Sequence, residues 1–413
     1  MAIDAGAPPM SRRPAAISVA ALLLARFCAL TADQVVTFTL PVAVYLRSGQ
    51  AAYAGAAFFM DWLPRTLAMP LLGVLVDRSP ASRQLPYVDL ARAGLVLGAC
   101  LAPRVAALMV LAGMVSMFNA YASLLIDKLI TTELPGDALS EHQARLQTLV
   151  QIAKITSPAC AGMLLAQKGA HLTLLVSAAL FAVSLITNRL NFRRAVPAER
   201  EAAVPPAEAP GTLAATARLL LGLPPLRQLQ LLTFCINLTE GGCAALLPII
   251  VIGYFQQSAR TLGYVNGGAA AASVLVLVLL IRRPSALPLR QLGLASVVVM
   301  YAAALFIISG RSLALLAGAY AAFTAARNAL SVYLRTERLR LLPRQWLGRA
   351  LGLVVSCDLV AFPLAGAIVT LSAARASPFR VLLGVTAVSL ISTCLARRPL
   401  LAPAPPREPG RAD

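Results

Sequence analysis

Two carboxylates sit where a carboxylate is expensive. Asp33 lies in the middle of the apolar run FCALTADQVVTFTLP, and Glu240 in the run FCINLTEGGCAALLP. An ionisable group inside such a run costs about 2.5–3.5 kcal/mol to place in hydrocarbon, so each needs a chemical reason. Burial and a like charge nearby both favour a protonated carboxyl. A pair of this kind near the middle of a barrier can take up a proton on one side and release it on the other, which makes Asp33 and Glu240 candidates for proton coupling. The alternative is permanent pairing of either one with a buried arginine. Arg26 stands seven residues before Asp33, about two helical turns away and on the same side. Arg26, Lys154, Arg327 and Asp358 either pair internally or face a substrate cavity, where Lys154 or Arg327 would be a ready counter-charge for an anionic solute. Asn119, Tyr121 and Asn237 offer hydrogen bonds to a solute, or serve helix packing. Asp61 and Arg65 are four apart, neighbours on one helical face, and predict a structural salt bridge. Arg92, near the end of its apolar segment, is expected to snorkel, with Asp89 at the segment edge.

The elements that must hold these groups are membrane helices. The chain of 413 residues is 59% hydrophobic and 13% charged, with mean hydropathy +0.76; a soluble domain carries about a quarter charged residues. This much apolar surface needs lipid as its solvent. The net charge of +19 does not point to nucleic acid, because the basic residues sit in short loops between apolar segments. Twelve segments meet or approach the length of a span: 17–46, 51–76, 86–102, 105–126, 146–166 and 172–190, then 228–254, 261–281, 291–310, 312–334, 347–371 and 379–396. The expected organisation is a tail at 1–16, a six-helix bundle at 17–190, a Pro- and Ala-rich linker at 191–227, a second bundle at 228–396 and a tail at 397–413. The first segment is too long for a signal-peptide core and lacks a small-x-small cleavage site, so it is read as a span. With both ends of the chain in the cytoplasm, the outer loops and helix ends receive only Arg47, Arg104, Lys168, Arg260, Arg311, Arg375 and Arg380 of the 36 lysines and arginines. That asymmetry obeys the positive-inside rule for a bacterial inner-membrane protein.

An internal repeat runs through the chain. Phe27, Cys28, Asp33 and Pro41 recur as Phe234, Cys235, Glu240 and Pro248, each 207 positions on, and the same offset carries Arg83-Gln84-Leu85 to Arg290-Gln291-Leu292. Parallel six-helix repeats are one of the two ways transporter folds are built.

On these features the chain resembles the major facilitator superfamily over almost its whole length. LPRTLAMPLLGVLVDRSPASR is similar to that family's loop motif G-x-L-x-D-R-x-G-R-[RK], with Gly73, Leu75, Asp77 and Arg78 in place, Pro80 for the second glycine, and Arg83 late. The resemblance implies a conformational switch in which Gly73 allows close helix packing and Asp77 faces the N-terminus of the eleventh helix. QIAKITSPACAGM is similar to the family's antiporter motif, keeping Pro158, with Gly162 near the later glycines and Ser157 for a glycine. LPR in the second helix, DLAR entering the third and LPRQWLGRALGL entering the eleventh, with Gly348-Arg349, resemble the branch of enterobactin-type siderophore exporters and drug exporters.

The resemblance implies an all-α membrane protein of the major facilitator fold, with twelve helices in two pseudo-symmetric halves. The function it implies is proton-coupled export of a small organic molecule by a monomer, the alternative being import of a small metabolite or anion. An enzyme is not expected, since neither HExxH nor GxSxG occurs, and a nucleotide-driven pump is not, since no G-x-x-x-x-G-K-[ST] occurs. The seven cysteines lie in apolar stretches without a CxxC pair, and His142 and His171 do not join them, so no metal or cofactor is expected.

Overall fold

The computed structural model describes residues 18–132, 139–194, 222–282, 288–341 and 347–395. Among these every regular element is helical, as lipid demands: only intrachain bonds can satisfy the backbone there. The first half holds α1 (Val19–Ser48), α2 (Ala51–Asp77), α3 (Ala81–Leu101), α4 (Val105–Thr132) and the long element Leu139–Arg194. Gly169, at φ 76 and ψ 176, breaks that element into α5 (139–168) and α6 (170–194). The second half holds α7 (Pro224–Pro248), continued by a π-helical turn at Ile249–Tyr254, then α8 (Ala259–Arg282), α9 (Leu289–Ser309), α10 (Leu313–Leu341), α11 (Leu347–Leu359), α12 (Ala361–Ser372) and α13 (Pro378–Leu395).

Local chemistry sets the ends. The Ser18 hydroxyl accepts from the Ala21 amide at 3.4 Å, and Gly49 closes α1 in the left-handed region with its amide on the Tyr45 carbonyl at 2.9 Å. Prolines 224 and 225 occupy the first turn of α7, where the missing amide hydrogens cost nothing. They start the helix four residues earlier than the linker boundary predicts, and α6 likewise extends to Arg194. The remainder of the expected linker and both expected tails lie outside the described residues. The eleventh segment, expected as one helix, is α11 and α12, separated at Val360.

Ten helices among the described residues are long and apolar enough to cross a membrane; one of them, Thr148–Arg193, contains the break at Gly169. With that break and with α3, whose polar residues keep it off the ten, the set is consistent with twelve crossings. Large apolar side chains cover the outside, Leu71 and Leu101 being 73% and 78% exposed, while Asp89 and Arg92 are buried. That arrangement suits a hydrocarbon solvent.

Apolar clusters fill each half, and among the described residues the largest one of the second half also takes in residues of the first. Call the end where α1 begins the Val19 end and the opposite one the Ser48 end. The second half's core incorporates Val42, Ala54 and Leu165 from the first, all near the Ser48 end. There α5 crosses α8 backbone to backbone: a methyl group at Gly162 would strike the Ala259 carbonyl, and one at Gly263 the Pro158 carbonyl. Similarly, α2 crosses α12, where Gly366 meets the Phe59 amide and Gly55 meets Thr370. Midway along, Trp62 stacks on Phe362 with ring centroids 4.0 Å apart. By contrast a methyl group at Gly73 would meet no atom within 4 Å among the described residues, so among these the close packing expected there is not formed.

Candidate functional site

The buried charges form two networks, one per half, each joining the helix that carries its key carboxylate to the same partner by topology. In the first half, α1 presents Asp33, and the Asn119 amide of α4 donates to it. Asn119 in turn accepts from the Arg92 guanidinium at 3.2 Å. Arg92 is paired with Asp89 one turn earlier on α3, and lies over the Phe181 ring at 4.6 Å. The second oxygen of Asp89 accepts from Ser184 at 2.8 Å and Asn188 at 2.9 Å, both on α6. Arg92 therefore does not snorkel; it is 2% exposed, fixed by a carboxylate that a hydropathy reading puts at a helix edge. The reason is that α3 begins at Ala81, which carries Asp89 two turns into the bundle.

In the second half α7 presents Glu240, which accepts from Arg327 Nε of α10 at 2.7 Å. Arg327 also donates to the Asn237 side chain at 2.8 Å, and Asn237 donates to the Asp358 carbonyl at 3.0 Å. The Asp358 carboxylate binds Arg338 at 2.6 Å and accepts from Gln230. Thus the α1–α4 contact of one half is repeated as the α7–α10 contact of the other, and the sequence repeat is also a repeat of bonding. Asn119 and Asn237 are bridges inside these networks rather than pendant groups. Asp358, expected in the cavity, is 5% exposed and held in a structural pair. Arg338 is the residue sequence reading missed, because α10 runs to Leu341 and keeps it inside the bundle.

Between the networks stands Lys154 of α5. It is exposed, and the charges within electrostatic range of it come from three other helices: Glu240 of α7, Arg327 and Arg335 of α10, and Asp33 of α1. Arg26 is in electrostatic reach of Asp33, Asp89, Asp127 and Arg92. A cavity of about 160 Å³ lies one turn beyond, towards the Ser48 end, where Thr37, Pro158 and Ala244 follow Asp33, Lys154 and Glu240 along their helices. Phe38, Phe58 and Tyr320 supply much of its apolar wall, and Asp61 reaches its surface.

Two expectations need correction. Asp61 and Arg65 close no salt bridge: the guanidinium sits over the Trp62 ring at 4.7 Å instead, leaving Arg65 in electrostatic but not bonding range of Asp61. Trp62, itself stacked on Phe362, offers a cation a flat partner that helical spacing cannot reveal. Tyr121 is not a cavity residue either. Its hydroxyl donates to Gln84, whose amide donates to the Val76 and Ser79 carbonyls at 3.1 and 2.8 Å, while Lys128 donates to the same two at 2.7 and 3.2 Å. These bonds brace the turn between α2 and α3, in which Arg78 and Arg83 are exposed. The side chains of Asp77 and of Gly348-Arg349 lie outside the described residues. Replacing Tyr121 with Phe frees a Gln84 acceptor and should cost about 1 kcal/mol; thermal unfolding of purified protein measures it, and an unshifted midpoint would mean that the turn holds without the brace.

Comparison with known proteins gives a uniform result. The family model described as Major Facilitator Superfamily matches residues 22–366. No curated protein matches the sequence. Among solved structures, the chain is similar to a bacterial homologue of the iron transporter ferroportin in an inward-facing state, with TM-score 0.71, 16% identity, and 93% of this chain and 97% of that one covered. The same comparison with an outward-facing ferroportin homologue gives TM-score 0.58 at 16% identity, covering 93% and 98%. It is also similar to the nucleoside transporter NupG, with TM-score 0.75, 12% identity, and 92% and 98% covered. At these identities the likeness shows the fold.

Proposed function

We propose that this chain, which belongs to the Major Facilitator Superfamily, exports a small organic molecule by proton-coupled alternating access. One observation carries the reading: Asp33 and Glu240, equivalent by the repeat, belong to opposite halves and are both within electrostatic range of the exposed Lys154. A proton or a solute arriving there changes the charge balance between the halves, and hence which arrangement of them is favoured. Asp61, reaching the chamber without a salt bridge, adds a third carboxylate that can carry a proton.

The Val19 end is assigned to the cytoplasm and the membrane to the bacterial inner membrane, on the basis of the positive-inside rule. The halves are 17–190 and 228–396, working as one monomer. With its Ser48 end closed by the α5–α8 and α2–α12 crossings, the molecule is then inward-facing, and the higher overlap with the inward-facing ferroportin homologue supports this. Gly162 and Pro158 belong to the outer closure. Gly73, Asp77, Arg78 and Arg83 belong to an inner one, which forms when Gly73 gains its packing partner. The motifs around LPR, DLAR and Gly348-Arg349 favour a siderophore-like or drug-like solute.

An untargeted mass-spectrometric comparison of cells and medium tests the direction, with and without the protein, in iron-replete and iron-starved cultures. Export predicts a compound lost from the medium and retained in cells when the protein is missing. A compound left in the medium only when it is missing would overturn export in favour of uptake. The closure is tested separately by Gly162→Val, which forces α5 from α8. In a background without native cysteines, Phe38→Cys should then react with an external impermeant maleimide about tenfold faster, the change expected for 1.4 kcal/mol. An unchanged rate would mean that this crossing does not seal the outer side.

A further inference from the structure

We propose that the space around Lys154 is an anion site, and that the transported solute is a small organic anion with an apolar body. This rests on the transporter reading and names the substrate class of the same site. Lys154 is within electrostatic range of two further cations, Arg327 and Arg335, and of two carboxylates, Glu240 and Asp33. The carboxylates are occupied. Glu240 is bound to Arg327 at 2.7 Å, and Asp33 accepts from Asn119. Among the described residues Lys154 and Arg335 have no hydrogen bond or ion pair closing on them, and both are exposed.

A lysine in mid-span with no partner is costly to keep. Arg92 is bound to Asp89, Arg338 to Asp358 and Lys128 to two carbonyls, while Arg65 rests on the Trp62 ring. Lys154 on α5 of the first half is instead in electrostatic range of Arg335 on α10 of the second. An anionic group placed between them would pair with both and tie α5 of one half to α10 of the other. Such a contact is made with both halves at once, which is the differential affinity a solute needs to shift the equilibrium between conformations.

The apolar part of the solute has its own place. The chamber one turn beyond Lys154 is walled by Phe38, Phe58 and Tyr320, with Gln34, Thr37 and Asn266 among its neutral polar groups. A solute with its charge at Lys154 and its body in the chamber reaches towards the closed Ser48 end. Asp61 at the chamber surface repels a second negative charge there, so the favoured solute carries its charge at one end.

Three probes of matched shape separate the readings: benzoate, benzamide and benzamidine, which are anionic, neutral and cationic near neutral pH. Each is titrated against the detergent-purified full chain, and apparent affinity is read from the rise in unfolding temperature. Benzoate is expected to stabilise the protein in preference to the other two. Lys154→Ala should weaken it at least tenfold, Lys154→Arg should retain it, and Lys154→Glu should transfer the preference to benzamidine. Arg340→Ala, an exposed residue paired with Glu337, should change nothing. Equal or stronger stabilisation by benzamidine, no stabilisation by benzoate, or a benzoate effect intact in Lys154→Ala would each overturn the proposal. The charge-reversed variant keeps the test decisive if the alanine variant folds poorly. These outcomes leave the maleimide result untouched, so a wrong substrate class is distinguishable from a wrong transport mechanism.

Discussion

Replacing Arg92 with Met should cost about 3–5 kcal/mol, because it strands the Asp89 carboxylate in the middle of the first half. Arg92 and Asp89 are 2% and 0% exposed, and the guanidinium is the only cation bonded to that carboxylate among the described residues. Ser184 and Asn188 would remain as donors, too few to solvate a full charge in hydrocarbon. The double variant Asp89→Asn/Arg92→Met removes the charge together with its partner and should recover at least half of the loss. Yield of folded protein and unfolding temperature in detergent measure both. A single variant within about 0.5 kcal/mol of the parent would place it among ordinary surface changes, and the network would then have no structural weight.

The second large effect concerns transport and not folding. Asp33→Asn preserves an oxygen able to accept from Asn119, so the first half's network should survive. What it removes is the ability to bind and release a proton. Uphill transport driven by a proton gradient should fall on the order of a hundredfold, equivalent to about 2.7 kcal/mol. Exchange of solute without a gradient should persist. Glu240→Gln is expected to disturb both, since it leaves Arg327 without its charged partner. Proteoliposomes with an imposed pH difference distinguish the cases. Undiminished uphill transport by Asp33→Asn would move the coupling role to Asp61, the carboxylate that reaches the chamber unpaired.

The fold was largely legible because hydrocarbon imposes one rule on every span, and because the chain states its organisation twice. The repeat placed Asp33 and Glu240 in equivalent helices, and the structure shows Asp33 accepting from the Asn119 amide of α4 and Glu240 from the Arg327 guanidinium of α10. What could not be read was which polar groups meet. Hydropathy treats Arg92 and Arg338 as helix-end cations, whereas both helices continue past the apolar window and bury them. Spacing paired Asp61 with Arg65, but the indole that captured Arg65 is positioned by a ring on the other half of the protein. Tyr121 shares its helix with Asn119, yet two residues turn it away from Asp33 and towards Gln84. Such outcomes depend on rotation about helix axes, which long-range packing sets and local sequence does not.

The glycine crossings at the Ser48 end also have a thermodynamic meaning. Small residues in lipid associate through close fit, without the driving force that water lends to apolar surfaces. A seal made in this way can separate without exposing groups that lipid or a widening vestibule would reject. On the alternating-access proposal, the carrier would then act as a balance with two light pans, one at either end of the bundle. Inverting a 1:99 population to 99:1 takes about 5.5 kcal/mol, and one well-placed charge contact together with a buried ring is of that order. Such a seal would be tuned by evolution to be weak, and substitutions that tighten it should trap the carrier in one orientation.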